Sequence, residues 1–364
     1  MRNKIWGGFL LAATLAVLVP KFASATTIDT QSTTIGDNNN SPKNIILRRE
    51  ISGVKNYVDV AFRYELLADE NNPAAVGNMP DERQSISVNT MPNSHNVATG
   101  TAAINMAPLE FSELGDYKFT VREIYSSDPE NYPVDEEHLY YFYVSVRNEV
   151  VNNVPTGNLV ATLIPQARNY DTGEKTSIVF TGQAVRTYME LSKNVTGNLA
   201  NTEEYFKFLV KINGRAGDSY TIDGQDANVT YGGENITTTS NYVVSDDGVE
   251  VYLRHGQTIR IGQDADGMLE MPIGATYTIQ EINAEDYSTT VDGSEGKITG
   301  TKTTAVLLEG DILPDSNQTE FVNNKNSAVL TGVTLAMIPA MVLIVTMFTG
   351  AVVVRKIKKS SNKR

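Results

Sequence analysis

Met189-Glu190-Leu191-Ser192-Lys193-Asn194-Val195 reads as a β-strand of period two, which puts Met189, Leu191, Lys193 and Val195 on one face. Three apolar side chains point at an interior and a lysine points with them. Two later stretches carry the same anomaly. Tyr277-Thr278-Ile279-Gln280-Glu281 sets a carboxylic acid on the face of Tyr277 and Ile279, and Thr319-Glu320-Phe321-Val322-Asn323 sets an amide on the face of Phe321. Burial disfavours the charged form of an amine and of a carboxylic acid alike, by up to ~3–5 pKa units in the extreme. A neutral amine is a nucleophile, and a protonated carboxylic acid can polarise an amide carbonyl and shuttle protons. If the three meet, the expected product is an isopeptide bond between Lys193 and Asn323, formed once, on the protein itself, with loss of ammonia. The bland alternative is that Lys193 reaches solvent and Glu281 is an edge-strand charge.

Outward from this stretch the texture is β throughout. Short runs rich in Val, Ile, Thr, Tyr and Phe alternate with Asp, Asn and Gly clusters, such as Asp246-Asp247-Gly248, and no amphipathic helix stands out. Strands with turn signals at intervals point to β-sandwiches of the immunoglobulin-like kind. An internal repeat predicts two of them. Ile45, Leu47, Arg49 and Ile51 share a face before Ser52-Gly53, as Met189 to Val195 do before Thr196-Gly197. Gly115 to Glu123 then matches Gly274 to Glu281, and Ser177 to Gly182 matches Gln318 to Asn323. First and last members stand 133 residues apart in one copy and 130 in the other. Both copies are expected to open and close on neighbouring edge strands, so that a bond between first and last would close a whole domain.

The first copy departs from the pattern. Arg49 stands in the lysine position and Gly182 in the asparagine position, and only Glu123 is kept. A guanidinium stays charged and is a poor nucleophile, and glycine has no carboxamide to attack. No bond of this kind is expected there; a buried Arg49–Glu123 ion pair with Glu123 ionised is expected instead.

The chain ends carry targeting signals. Met1-Arg2-Asn3-Lys4, the apolar run Ile5 to Pro20 and Ala23-Ser24-Ala25 read as a secretory signal peptide. Val333 to Val354 is apolar for 22 residues, roughly 33 Å as a helix, and the basic tail Arg355 to Arg364 follows. Residues 1–25 hold three basic residues and 332–364 hold six, with no acid in either, which leaves 21 basic against 43 acidic residues between them. That surplus of acid argues against nucleic-acid binding. Cysteine is absent from the secreted chain, so no disulfide staples it. His95, His138 and His255 show no metal spacing, and Asp264-Ala265-Asp266-Gly267 lacks the remaining ligands of a calcium loop. No metal and no cofactor are expected.

The Lys193-Asn194-Val195-Thr196-Gly197 start, the Tyr277 to Glu281 box and the Phe321-Val322-Asn323 close, in that order before a membrane anchor, resemble those of Gram-positive backbone pilins of the streptococcal T-antigen type. The resemblance covers nearly the whole mature chain. It implies an all-β fold of two tandem immunoglobulin-like domains plus a C-terminal transmembrane helix, with Lys193 as nucleophile, Asn323 as acyl donor and Glu281 as catalytic acid/base. Asn324 would face the other way. The family carries a Val-Pro-Thr-Gly sorting signal; here Ala328-Val329-Leu330-Thr331-Gly332-Val333 keeps Val, Thr and Gly but has Leu330 where the kink-forming proline belongs. A sortase transpeptidase is implied to cut between Thr331 and Gly332 and hand the threonine to a lysine of another copy. Lys175, seven residues ahead of Gly182 in an exposed-looking turn, is the candidate, with an ordinary surface lysine as the other reading.

The expected organisation is thus a signal peptide (1–25), a flexible leader (26–43), a first domain with a degenerate triad (44–185), a bond-forming second domain (186–326), a sorting motif (327–332), a membrane helix (333–354) and a cytoplasmic tail (355–364). The function implied is a structural subunit, not an enzyme, at a Gram-positive cell surface. Its partners would be other copies of itself, accessory pilins, the sortase, peptidoglycan or membrane, and a host surface ligand. A non-polymerising anchored adhesin or spacer is the alternative, and a secreted hydrolase a remote one.

Overall fold

The computed structural model describes residues 32–36, 41–80, 84–282, 284, 286–293, 297–299, 305–313 and 317–326. The signal peptide, sorting motif, membrane helix and tail read from the sequence lie outside them. Among the described residues every regular element is a β-strand, and no helix is long and apolar enough to cross a membrane. Alternation of side chains sets which face each strand buries. Asn44–Ser52 buries Ile45, Leu47, Arg49 and Ile51, and Met189–Thr196 buries Met189, Leu191, Lys193 and Val195.

Two hydrophobic clusters result. One runs from Ile35 to Ala184 around Phe62, Phe119, Phe142 and Phe180; the other runs from Met189 to Phe321 around Phe208, Tyr220, Tyr242 and Tyr277. Among the described residues the strands of the first half form a six-stranded, a three-stranded and a two-stranded sheet, and those of the second a six-stranded, a five-stranded and a two-stranded sheet. This is consistent with immunoglobulin-like sandwiches.

The repeat seen in the sequence is a repeat of register. In the first half the opening strand Asn44–Ser52 runs parallel to the closing strand Ile178–Gln183, with Arg49 opposite Phe180 and Ile51 opposite Gly182. In the second half Met189–Thr196 runs parallel to Gln318–Asn324, with Lys193 opposite Phe321 and Val195 opposite Asn323. The expectation of neighbouring strands holds, but that of edge strands does not. Of these four strands only Ile178–Gln183 is an edge among the described residues; in the second half Gln257–Ile261 flanks the opening strand and Ser288–Gly293 flanks the closing one. The leader is also corrected in part. Thr33–Thr34 pairs with Glu110–Phe111, and Thr33 and Ile35 are buried, because Ile35 completes the first core.

Polar contacts join the halves. Asn56 donates to the Ser219 carbonyl and accepts from its amide (3.0 and 2.9 Å), and Asn131 does the same with Ile273 (3.0 and 2.8 Å). Lys55 Nζ lies 2.5 Å from Oε1 of the buried Glu270, and the Arg215 guanidinium lies 3.3 Å from the centroid of the Tyr57 ring.

Candidate functional site

Three strands bring the polar residues of the second half together. Lys193 and Asn323 project from the same face of parallel neighbours, and Glu281 comes from Thr276–Ile282 in the other sheet. Lys193 is 1% exposed and Glu281 and Asn323 are 0%, so the solvent-reaching reading of Lys193 does not hold. Lys193 Nζ lies 2.8 Å from Glu281 Oε1, and Asn323 Nδ2 donates to the same oxygen at 2.8 Å. Aromatic rings wall the amine in, with Nζ 4.4 Å from the Phe206 centroid and 5.8 Å from that of Phe208. Phe208 stands directly opposite Glu281 in the sheet and packs on Phe321.

Burial drives the Lys193 amine down to about 8, against the upward pull of Glu281. Neither Lys193 Nζ nor Glu281 Oε2 has an aligned hydrogen-bond partner among the described residues. Unsatisfied groups at this depth are costly. The other edge of the carboxamide is served separately. The Thr289 hydroxyl donates to Asn323 Oδ1 at 2.7 Å, and the two residues are directly opposed across antiparallel strands. Glu281 therefore faces the nitrogen of the amide and not, as expected from the sequence, its carbonyl. Asn324 points away, donating to Thr196 Oγ1 at 2.8 Å.

The first half places Arg49, Glu123 and Gly182 at the same three positions. Arg49 Nε lies 3.1 Å from Glu123 Oε1 with both side chains buried, the ion pair expected. Glu123 also accepts from the Tyr64 hydroxyl (Oε1, 2.6 Å) and the Asp135 amide (Oε2, 2.5 Å). Burial pushes Glu123 above the ordinary carboxylate value, and Arg49, Tyr64 and the Asp135 amide pull it back. Two hydrogen-bond donors and a guanidinium around two oxygens suit an ionised, acceptor-only carboxylate. The guanidinium also donates from Nη2 to Pro133 O at 2.9 Å and from Nη1 to Glu50 O at 3.1 Å, and its Cζ lies 4.5 Å from the Phe62 centroid. It fills the room that a side chain at Gly182 would need.

Sequence reading missed Thr289, Tyr64 and Asp135. Tyr64 carried a signal, since a tyrosine on a buried face needs a partner for its hydroxyl. Lys175 is exposed on the two-residue strand Lys175–Thr176, after a turn in which Asn169 Oδ1 accepts the amides of Asp171 and Thr172. Asp264 to Gly267 forms a tight turn, with Asp264 Oδ1 taken by the amides of Asp266 and Met268. Among the described residues no group of His, Asp and Glu is placed to hold a metal.

A family model described as a domain of unknown function (DUF7601) matches residues 187–325. No curated protein matches the chain. Among solved structures, the major pilin of Streptococcus pyogenes aligns with a TM-score of 0.54 at 18% identity, over 78% of this chain and 99% of that one. The T3.2 and T-13 major pilins of the same species each give a TM-score of 0.52 at 17% identity, over 78% of this chain and 99% and 98% of theirs. The chain has the fold of these streptococcal major pilins.

Proposed function

We propose that this chain is a pilin-like structural subunit of a Gram-positive cell surface, whose second domain closes itself with a Lys193–Asn323 isopeptide bond. The observation that carries this reading is one buried oxygen, Glu281 Oε1, held 2.8 Å from both the Lys193 amine and the Asn323 amide nitrogen. Lys193 passes a proton to Glu281, and the neutral amine attacks Asn323 Cγ. Glu281 delivers that proton to Nδ2 and takes the second proton of the attacking nitrogen, the Cγ–Nδ2 bond breaks, and ammonia leaves as the new amide forms. The pair of domains, 44–185 and 186–326, then divides the labour, one closed covalently and one by ion pair. In the loop-entropy model, closing about 130 residues contributes roughly 5 kcal/mol, and an amide does not yield to reductants. That suits a secreted chain with no cysteine.

In this reading the signal peptide exports the chain and the apolar segment 333–354 holds it. A sortase then cuts between Thr331 and Gly332 and joins Thr331 to a lysine of the next copy, with the exposed Lys175 as acceptor. Leu330 in the sorting motif favours one second reading, an anchored adhesin or spacer that never polymerises. High-molecular-weight ladders on denaturing gels of wall extracts distinguish the two, since only the shaft subunit gives them.

Intact mass tests the bond. The folded ectodomain should weigh about 17 Da less than its sequence, the mass of one ammonia, and Lys193→Ala, Glu281→Ala and Asn323→Ala should each restore the full mass. A full-mass native protein would end the proposal, and a deficit of two ammonias would contradict the account of the first domain.

A further inference from the structure

We infer that Thr289 is a further catalytic residue of this self-reaction, the donor that holds the carbonyl oxygen of Asn323 while the amine adds. The inference rests on the bond-forming reading above. Amide addition moves negative charge onto the carbonyl oxygen, and the reaction needs a donor placed there in advance. In this structure neither oxygen of Glu281 serves the carbonyl: Oε1 is engaged with the amine and with the amide nitrogen, and Oε2 makes no hydrogen bond to any described residue. The Thr289 hydroxyl does, at 2.7 Å from Asn323 Oδ1. The register makes the contact obligatory. Thr289 is the residue directly opposite Asn323 on the antiparallel strand Ser288–Gly293, and directly opposed residues share a face.

The two polar groups then have separate tasks at the two ends of one carboxamide. Glu281 carries the proton from the attacking nitrogen to the departing one, and Thr289 stabilises the oxyanion between those steps without gaining or losing a proton overall. Comparison of the halves supports this division. Beyond the closing strand of the first half, where there is neither amine nor carboxamide, no strand among the described residues stands where Ser288–Gly293 stands in the second. Asp135 occupies the flank instead, its Oδ2 accepting the Thr181 amide at 2.7 Å.

The test is a time course of cell-free synthesis of the full chain, quenched into denaturant, with the Lys193–Asn323 cross-linked peptide quantified by mass. Thr289→Val keeps the shape and removes the hydroxyl; it should slow bond formation by about 10²-fold, the scale of one oxyanion donor. Thr289→Ser should stay within about threefold of the native rate. Protease resistance of Thr289→Val equal to that of the unbonded Asn323→Ala variant shows that the slow variant is folded. Native-rate closure in Thr289→Val overturns the role of Thr289 while leaving the bond intact, as does a Ser variant as slow as the Val variant, which would make the methyl group the important part. If the native chain itself never closes, the reading beneath fails instead.

Discussion

A β-carbon placed on Gly182 would lie 2.7 Å from Arg49 Nη2 and 2.9 Å from Nη1, closer than real contacts come, so the two departures from the triad are one steric change. A guanidinium fits this pocket only if the closing strand is bare at that point. Gly182→Ala should therefore destabilise the first domain by about 1–3 kcal/mol, the range for overpacking a core. In an Arg49→Ala background the same substitution should cost much less, a coupling that urea midpoints around the double-mutant cycle will reveal. Lys193 gives a pH test in the unbonded Asn323→Ala protein. Its folded pKa is depressed to about 8 from 10.5, so between those values the unfolded chain holds a proton that the folded one has shed. Stability should then rise with pH from about 8 towards 10, and be flat when Lys193→Met is added. The lysine, the acid and the amide were legible because each breaks an apolar alternation. Thr289 was not, since a threonine in a strand breaks no pattern, and the fit of Arg49 over Gly182 exists only in three dimensions.

At the scale of elements, what matters is how tightly each opening strand is held to its closing strand. Gly197, just after Met189–Thr196, has φ +105°, and a β-carbon there would meet the Lys325 carbonyl oxygen at 2.3 Å. That backbone crossing is fixed on either side by the Lys325 amide donating to Thr196 O and the Leu199 amide donating to Lys325 O. The matching Gly53 in the first half has φ +73°, but its nearest neighbour would be Gln183 Cγ at an ordinary 3.5 Å. Gly197→Ala should thus cost more than about 2 kcal/mol and reduce the bonded fraction by prising the closing strand away, whereas Gly53→Ala should cost only the roughly 1–2 kcal/mol of left-handed backbone. Intact mass and thermal melts of the two variants make the comparison. The opening, acid-bearing and closing strands could be read from alternation alone. The flanking strands could not, because Ser288–Gly293 and Gln257–Ile261 carry short polar-rich patterns whose pairing is decided by which edge remains open. That is why strands taken for edges turned out to be interior.

For the whole molecule, the two halves are joined through paired amides at Asn56 and Asn131 and the Lys55–Glu270 contact, and in the proposed reading they are closed by unlike means, a difference that a chain stretched from its two ends would reveal. Pulling on the two ends of the chain draws the opening and closing strands of each half past one another, because they lie parallel and adjacent. With Lys193 and Asn323 fused, force crosses the second half through one covalent link and bypasses about 130 residues. In the first half it meets only backbone ladders and the Arg49 cluster, so that half should give way first and pay out roughly 450 Å of extended chain, at 3.3–3.6 Å per residue. Single-molecule extension should show one such rupture per copy, and two in Lys193→Ala. In a string of subunits joined from Thr331 of one copy to Lys175 of the next, tension would enter at the last strands of the first half and leave through the second, so the yielding part would hang beside the load path while the inextensible half carries it.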